Sequence, residues 1–402
     1  MLLINPYFEG IKPDAPQLGL VFLGTYIQEH TDCEVQVIDP IPQGLSENDV
    51  LSLAKKVDIV GLTCFTEIRF QCFDFAKRVK EENKDCKLVL GGVHATALDV
   101  SILEHYPFID AIIRGEGEET LLEIVNGKPY DEIAGITWRK NEKVIRNPNR
   151  PPIKNIDDLH FDYSLLPPIY VENWKDEEVP FELKKLKHLP IIASRGCPYN
   201  CSFCASHPYW GGMWRSLSPN ELVHRLEDAV DKYGANYFRF YDALFPSNRK
   251  WVTDFCQLLK ERNLDISFRI DIRSGSNRDI LEQLRKVGCS VVGMGAESGS
   301  DRILKRINKR TTRREIINTV NICKELGYWV IGYFMLGLPD ETREDIKKTL
   351  ELIKCFDYHN YTRFQVYPNT PFYDELKQVG EINDEIWFDK SKDVPIEVKG
   401  GK

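Results

Sequence analysis

From Leu2 to about Asn126, and again from Leu189 to about Val366, short apolar runs alternate with stretches of helical spacing. No other feature constrains the fold as strongly. A strand, a helix and a second strand can pair in parallel only through a crossover, so such a chain builds parallel sheets covered by helices. In the first half the strands are Leu2–Ile4, Val35–Ile38, Asp58–Leu62, Lys87–Leu90 and Ala111–Ile113. Between them lie a helix over Leu18–Glu29, one that Ser46 can cap and that ends near Lys56, an amphipathic stretch over Glu67–Glu82, and one from Glu118 to Asn126. This order predicts a doubly wound parallel sheet, which binds ligands at the carboxyl ends of its strands. Those ends lead into Thr63-Cys64-Phe65-Thr66, Gly91-Gly92-Val93-His94-Ala95-Thr96 and Arg114-Gly115-Glu116-Gly117. Paired glycines let a bulky ligand approach the backbone. The bland alternative is that each loop is merely a tight turn.

Residues 131–187 read as a connector punctuated by Pro148, Pro151-Pro152 and Pro167-Pro168, with a small hairpin over Ile133–Val144. From Leu189 six βα units follow, with strands near Leu189–Ser194, Tyr237–Tyr241, Ile266–Ile270, Ser290–Met294, Trp329–Met335 and Thr362–Val366. Repeated units of this size predict a partial barrel with its chemistry at the strand carboxyl ends.

The first of these strands runs into Arg195-Gly196-Cys197-Pro198-Tyr199-Asn200-Cys201-Ser202-Phe203-Cys204. Thiolates are soft ligands for iron–sulfur clusters or zinc. Three close thiolates can hold three irons of a cubane and leave the fourth open. His207 offers the zinc alternative, a Cys3His site.

Eleven cysteines, mostly scattered singly in apolar segments, read as buried thiols in a reducing cytoplasm rather than as a disulfide framework. The net charge of -8 does not suggest nucleic-acid binding. No apolar run is long enough to span a membrane, and the start lacks the basic region of a signal peptide.

The cysteine loop, with Phe203 before its last cysteine, resembles the signature of radical S-adenosylmethionine (SAM) enzymes. Further resemblances follow along the second half: Tyr241-Asp242-Ala243-Leu244-Phe245 with Asn248, Gly295-Ala296-Glu297-Ser298-Gly299, and Gly332 to Thr342 with its Gly-Leu-Pro-Asp-Glu-Thr ending. Val366-Tyr367-Pro368-Asn369-Thr370-Pro371 resembles the family's sixth-strand turn, with Asn369 replacing a glycine; Asn tolerates positive φ. The first half resembles the cobalamin-binding domain of the class B, cobalamin-dependent members. The pieces are Gly19–Leu23, Val37-Ile38-Asp39, Asp58–Gly61, Gly91–Thr96 and Gly115–Glu118. The loop Asn5–Gly10 lacks the histidine by which many cobalamin-binding families ligate cobalt from below; class B proteins commonly lack it too.

The resemblance implies an N-terminal Rossmann-like sheet over residues 1–130, a connector over 131–187, a partial (βα)6 TIM-type barrel over 188–372, and a helix and tail over 373–402. It implies a [4Fe-4S] cluster on Cys197, Cys201 and Cys204. SAM would meet Phe203, Tyr241, Asp242, Arg273, Glu297, Ser298 and Leu336. Cobalamin would meet Thr63, Cys64, Thr66, Gly91, Gly92, His94, Ala95, Thr96, Gly115, Glu116 and Gly117, without a protein histidine below cobalt.

The implied activity is methyl transfer from SAM, via methylcobalamin, to an unactivated carbon from which a 5′-deoxyadenosyl radical has removed hydrogen. The substrate would be a peptide or protein side chain, or a small molecule. A ferredoxin or flavodoxin would supply electrons. The alternatives are a cyclase, ring-contracting or oxidising enzyme of the same build, and a cobalamin sensor. A methylthiotransferase is disfavoured, because Cys33, Cys64, Cys72 and Cys86 do not resemble the extra cysteine set of those enzymes.

Overall fold

The computed structural model describes residues 1–6, 8, 16–246 and 248–392. Tyr7, Glu9 and Gly10 of the first-strand loop lie outside the described residues, as do 393–402. The chain forms two compact units, Met1–Glu172 with Leu376–Asp393, and Asn173–Glu375.

In the first unit, strands β1 (Leu2–Ile4), β2 (Gln36–Ile38), β3 (Ile59–Thr63), β4 (Lys87–Gly91) and β5 (Ala111–Ile113) pair in parallel in the order β2-β1-β3-β4-β5. Crossing helices bury both faces. Leu2, Ile4, Ile38, Val60, Leu62, Leu88, Leu90 and Ile112 join one core with Val50, Phe73, Phe75, Val79 and Ile102 of the helices. Ser46 caps its helix, Glu47–Ala54, through a reciprocal pair with Asp49.

The expected connector is not a loose tether. β6 (Ile136–Lys140) and β7 (Lys143–Arg146) form the expected hairpin and extend the sheet antiparallel from β5. Its turn residues, Asn141 and Glu142, take positive φ. Farther on, Tyr170 is buried and its hydroxyl donates to Asp39 Oδ2 at 2.6 Å. The units part after Glu172, and residues 376–392 cluster with the first unit.

In the second unit, β8 (His188–Ile191), β11 (Tyr237–Phe240), β12 (Ser267–Ile272), β13 (Cys289–Glu297), β14 (Trp329–Leu336) and β15 (Tyr358–Arg363) pair in parallel in sequence order. The sheet curls into a partial barrel, its edge strands being β8 and β15. Between β8 and β11, β9 (Ser194–Gly196) and β10 (Trp214–Ser216) form an antiparallel ribbon. The last strand lies about four residues before its expected place at Thr362–Val366. Its sequence Tyr-His-Asn-Tyr-Thr-Arg is largely exposed, as an edge strand permits, so it carries little apolar signal. Phe364 and Val366, which suggested a strand, are buried just beyond it.

Polar side chains fill part of the barrel interior. Arg269, wholly buried, donates through Nη1 to both carboxylate oxygens of Asp176 at 2.8 Å and through Nη2 to Glu178 and Tyr333. Arg239 lies 3.8 Å from both acids, beyond hydrogen-bond reach. Asp176 and Glu178 belong to the expected connector, so this ion cluster ties that segment into the barrel. Arg269→Met is expected to cost about 3–5 kcal/mol, because the buried Asp176 carboxylate and the half-buried Glu178 lose a shared partner. Urea unfolding checks this; a loss below about 1 kcal/mol would match a surface pair rather than a buried one.

Candidate functional site

The cysteine loop leaves β9 at Gly196 and returns through β10. Gly196 has φ +91°, and a Cβ there would collide with the Met213 carbonyl across the ribbon. Only glycine lets the loop start this close to its partner strand. Three backbone or side-chain bonds fix the loop farther on. Ser202 N donates to Ile307 O at 3.0 Å, Asn308 Nδ2 to Asn200 O at 2.6 Å, and Phe372 N to Ser202 O at 3.2 Å. Cys201 is buried and Cys197 and Cys204 are half-buried, all three as free thiols. Burial pushes the Cys204 thiol up, and Cys201, Cys197 and Glu297 add to the rise. Among the described residues no three His, Cys, Asp or Glu side chains are placed to hold a single metal ion. A cubane does not ask for convergence on one ion, because each iron takes its own thiolate. The loop fits such a cluster.

Beside the loop stands Glu297, at the end of β13. It has φ +60°, an αL conformation unusual for glutamate. Its Oε1 accepts from Lys309 Nζ at 2.7 Å, and both side chains are buried. The Lys309 ammonium also sits 6.0 Å from the Phe203 ring centroid. No motif pointed to Lys309; it follows a short helix and is brought in by the same 307–309 segment that holds the cysteine loop. A side chain on Gly295 would press on both the Glu297 carboxylate and the Lys309 ammonium. Arg273, just past β12, lies 3.7 Å over the Tyr199 ring, and its Nη2 is buried without a partner among the described residues. Leu336 ends β14, half-buried, and Tyr241 follows β11 with Arg239 4.5 Å over its ring.

Two of the expected SAM contacts, Asp242 and Ser298, also make hydrogen bonds within the chain. The Asp242 carboxylate accepts from Ala193 N at 3.1 Å and from the Ser194 hydroxyl, just before the cysteine loop. Ser298 is wholly buried, its hydroxyl 3.2 Å from Thr349 Oγ1 and accepting from Ser300 N at the same distance. Each of these bonds ties a turn next to the site. The Gly-Leu-Pro-Asp-Glu-Thr segment has the same logic. Gly337 N donates to Glu341 Oε2 at 2.7 Å, and Thr342 caps the next helix. Asn369 takes φ +61°, as its substitution for glycine requires.

In the first unit, the three expected loops are joined at the carboxyl edge of the sheet. Cys64 N donates to Gly91 O at 2.8 Å, and His94 N to Cys64 O at 3.1 Å. Gly92, with φ +93°, has no room for a side chain: a Cβ would lie 2.9–3.0 Å from Cys64 backbone atoms and Thr63 Oγ1. Thr66 Oγ1 meets His94 Nδ1 at 3.1 Å, and Gly115 N donates to Thr96 Oγ1 at 3.1 Å. Ala95 is buried beneath, Glu116 accepts from Ile153 N at 2.7 Å, and Gly117 packs on Leu23. His94 is wholly buried, and burial with the nearby Arg69 charge pushes its pKa down to about 3. Its Nε2 has no partner among the described residues. A neutral imidazole with an uncommitted nitrogen and a glycine-walled edge fit a large polar cofactor.

Comparison with known proteins covers both units. Residues 5–125 match the B12 binding domain and residues 191–353 the radical SAM superfamily. The chain is 34% identical to an uncharacterized methyltransferase of Pyrococcus horikoshii, over 92% of this chain and 81% of that one. It is 28% identical to an anaerobic magnesium-protoporphyrin IX monomethyl ester cyclase of Rubrivivax gelatinosus, over 96% and 71%. The structure of the radical S-adenosylmethionine methyltransferase TsrM from Kitasatospora setae, with cobalamin and a [4Fe-4S] cluster bound, superposes with a TM-score of 0.72. It covers 94% of this chain and 74% of that one at 17% identity, a likeness of fold.

Asp242 generates a prediction. Burial pushes its pKa up to about 7, against the hydrogen bonds from Ser194 and Ala193 that lower it. Between the ordinary carboxyl value near 4 and that value, the folded chain binds the proton more tightly than the unfolded chain. The stability that the protonated carboxyl contributes is full below the lower value and is lost as pH rises toward the upper one. Asp242→Asn keeps an acceptor for Ala193 N and should flatten this part of the curve. Thermal unfolding of both proteins from about pH 4.5 to 7.5 measures the slopes. Equal slopes would assign the proton to another group.

Proposed function

For a chain that belongs to the class B, cobalamin-dependent radical SAM enzymes, we propose C-methylation as the reaction, with SAM as methyl donor and an unactivated substrate carbon as acceptor. The cofactors are a [4Fe-4S] cluster, SAM and cobalamin. When bound, they supply reductive cleavage of the sulfonium, hydrogen removal and methyl relay. The observation that carries the proposal is the cysteine loop: three neighbouring thiols, pinned at Gly196, Ser202 and Asn200, with the Lys309–Glu297 pair beside them.

Each residue has a proposed part. Cys197, Cys201 and Cys204 hold the cluster. Glu297, kept in place by Lys309, accepts hydrogen bonds from the nucleoside or amine of SAM. Arg273, with Nη2 uncommitted, meets a carboxylate or ribose oxygen. Phe203, Tyr241 and Leu336 border the same nucleotide. Asp242 and Ser298 position the loop and the turn. Thr63, Cys64, Thr66, Gly91, Gly92, His94, Ala95, Thr96, Gly115, Glu116 and Gly117 form the cobalamin edge. The units serve as a cobalamin domain and a SAM barrel. Electrons come from a small ferredoxin or flavodoxin. All eleven cysteines are free thiols, which fits a reducing cytoplasm. No helix among the described residues is long and apolar enough to cross a membrane.

The cyclase relative supports a second reading, a radical reaction without net methylation. Product mass separates the two. With candidate peptides or metabolites and methyl-labelled SAM, methylation adds one labelled CH2 unit and consumes two SAM molecules per product. A product without that gain favours the second reading. Anaerobic reconstitution should give about four iron per chain, and Cys201→Ala should abolish deoxyadenosine formation. Stoichiometric zinc without iron would overturn the cluster assignment.

A further inference from the structure

Residues 384–392 lie far along the chain from the cobalamin edge, and no motif marks them. Asn383 caps the 3-10 turn Asp384–Trp387 by accepting from Glu385 N at 3.1 Å. The turn drives the Trp387 indole into the first unit, where only 3% of it stays exposed. There it meets the His94 ring edge-on at 5.6 Å between centroids. Arg69 bridges the two segments. Its Nη1 donates to Thr66 O at 2.7 Å, its Nη2 to Ile386 O at 3.1 Å, and its guanidinium lies 5.5 Å from the Trp387 ring centroid. Phe388 stacks on His105 at 3.8 Å with the planes 5° apart, and Lys390 pairs with Asp74 at the exposed margin.

The contacts form a chain of support. Thr66 and His94 belong to two of the three joined loops, and they hold each other by the 3.1 Å contact. Trp387 packs edge-on against the wholly buried His94, and Arg69 holds the Thr66 and Ile386 carbonyls together beside the indole. Water admitted to His94 would compete for Nδ1 and free the ring to turn. Aromatic packing against a ring is a low-entropy way to fix its orientation.

We propose that residues 384–392 form a clasp that completes the cobalamin-binding edge, with Trp387 as a positioning residue that holds His94 toward the cofactor. The proposal rests on the assignment of that edge to cobalamin, and it adds a residue that acts through His94 rather than by touching the ligand.

The test is a double-mutant cycle on the full chain, read as hydroxocobalamin affinity by absorbance titration of cofactor-free protein. Parent binding establishes the edge assignment independently. Trp387→Ala should weaken binding about tenfold, the scale seen when an orienting partner of a ligand is removed. Trp387→Phe should restore most of it, and Lys55→Ala, at an exposed pair with Glu82 outside the clasp, should change it less than about twofold. His94→Ala should weaken binding as well, and His94→Ala with Trp387→Ala should be no weaker than His94→Ala alone, because the indole acts through the imidazole. Circular dichroism confirms folding. If Trp387→Ala does not fold, Trp387→Leu replaces it with the same two outcomes. Unchanged or tighter binding in the Trp387 variant would overturn the proposal, the tighter case marking the clasp as a competitor of the cofactor. Full additivity of the two substitutions would also overturn it.

Discussion

A parallel strand cannot return to its neighbour by a tight turn; the backbone must cross over a face of the sheet. Both units obey this constraint, and it sorts the residues by chemistry. The crossovers carry apolar faces and caps such as Ser46, Asn248, Thr312 and Thr342. The carboxyl ends, freed from that work, carry Gly91-Gly92, Glu297, Arg273 and the cysteine loop. The hairpin β6–β7 and the ribbon β9–β10 are the two antiparallel departures. The ribbon stands where the constraint has to be broken: a loop bearing three thiols needs its two ends held side by side, and an antiparallel pair does this within a few residues.

Close backbone approach is the second recurrent device. Gly196 and Gly92 each sit where a Cβ would strike a neighbouring backbone, one at the base of the cysteine loop and one between two loops of the first sheet. Glu297 takes the opposite course. It keeps a side chain in a left-handed conformation, a strain of order 1–3 kcal/mol that its surroundings must hold. The Lys309 pair and the cramped Gly295 beside it supply that hold.

The alternation of period-2 and period-3.6 patterns made the sheets, their order of appearance and the hairpin legible, because those signals are local. The cysteine loop was legible for the same reason, and so was positive φ at Asn369. Strand β15 was misplaced because an exposed edge strand need not be apolar. Asp242 and Ser298 stood out in motifs, but their bonds to Ala193, Ser194, Thr349 and Ser300 were not legible, because those partners come from tertiary packing or from the turn itself. Lys309 and Trp387 escaped altogether. Each reaches its site through tertiary packing, across 12 residues in the first case and across nearly 300 in the second, and no periodicity encodes such a meeting.

The clasp also bears on how the protein is made. The first unit is interrupted: its closing segment, Leu376–Asp393, is translated only after the whole of Asn173–Glu375. At ribosomal speeds of about 5–20 residues per second, that interval is on the order of ten to forty seconds. During it the first sheet can fold with its glycine-lined edge still open and His94 wet. The late arrival of Trp387 means that the packing around His94 is completed last, so the order of synthesis sets the order in which this part of the first unit is assembled.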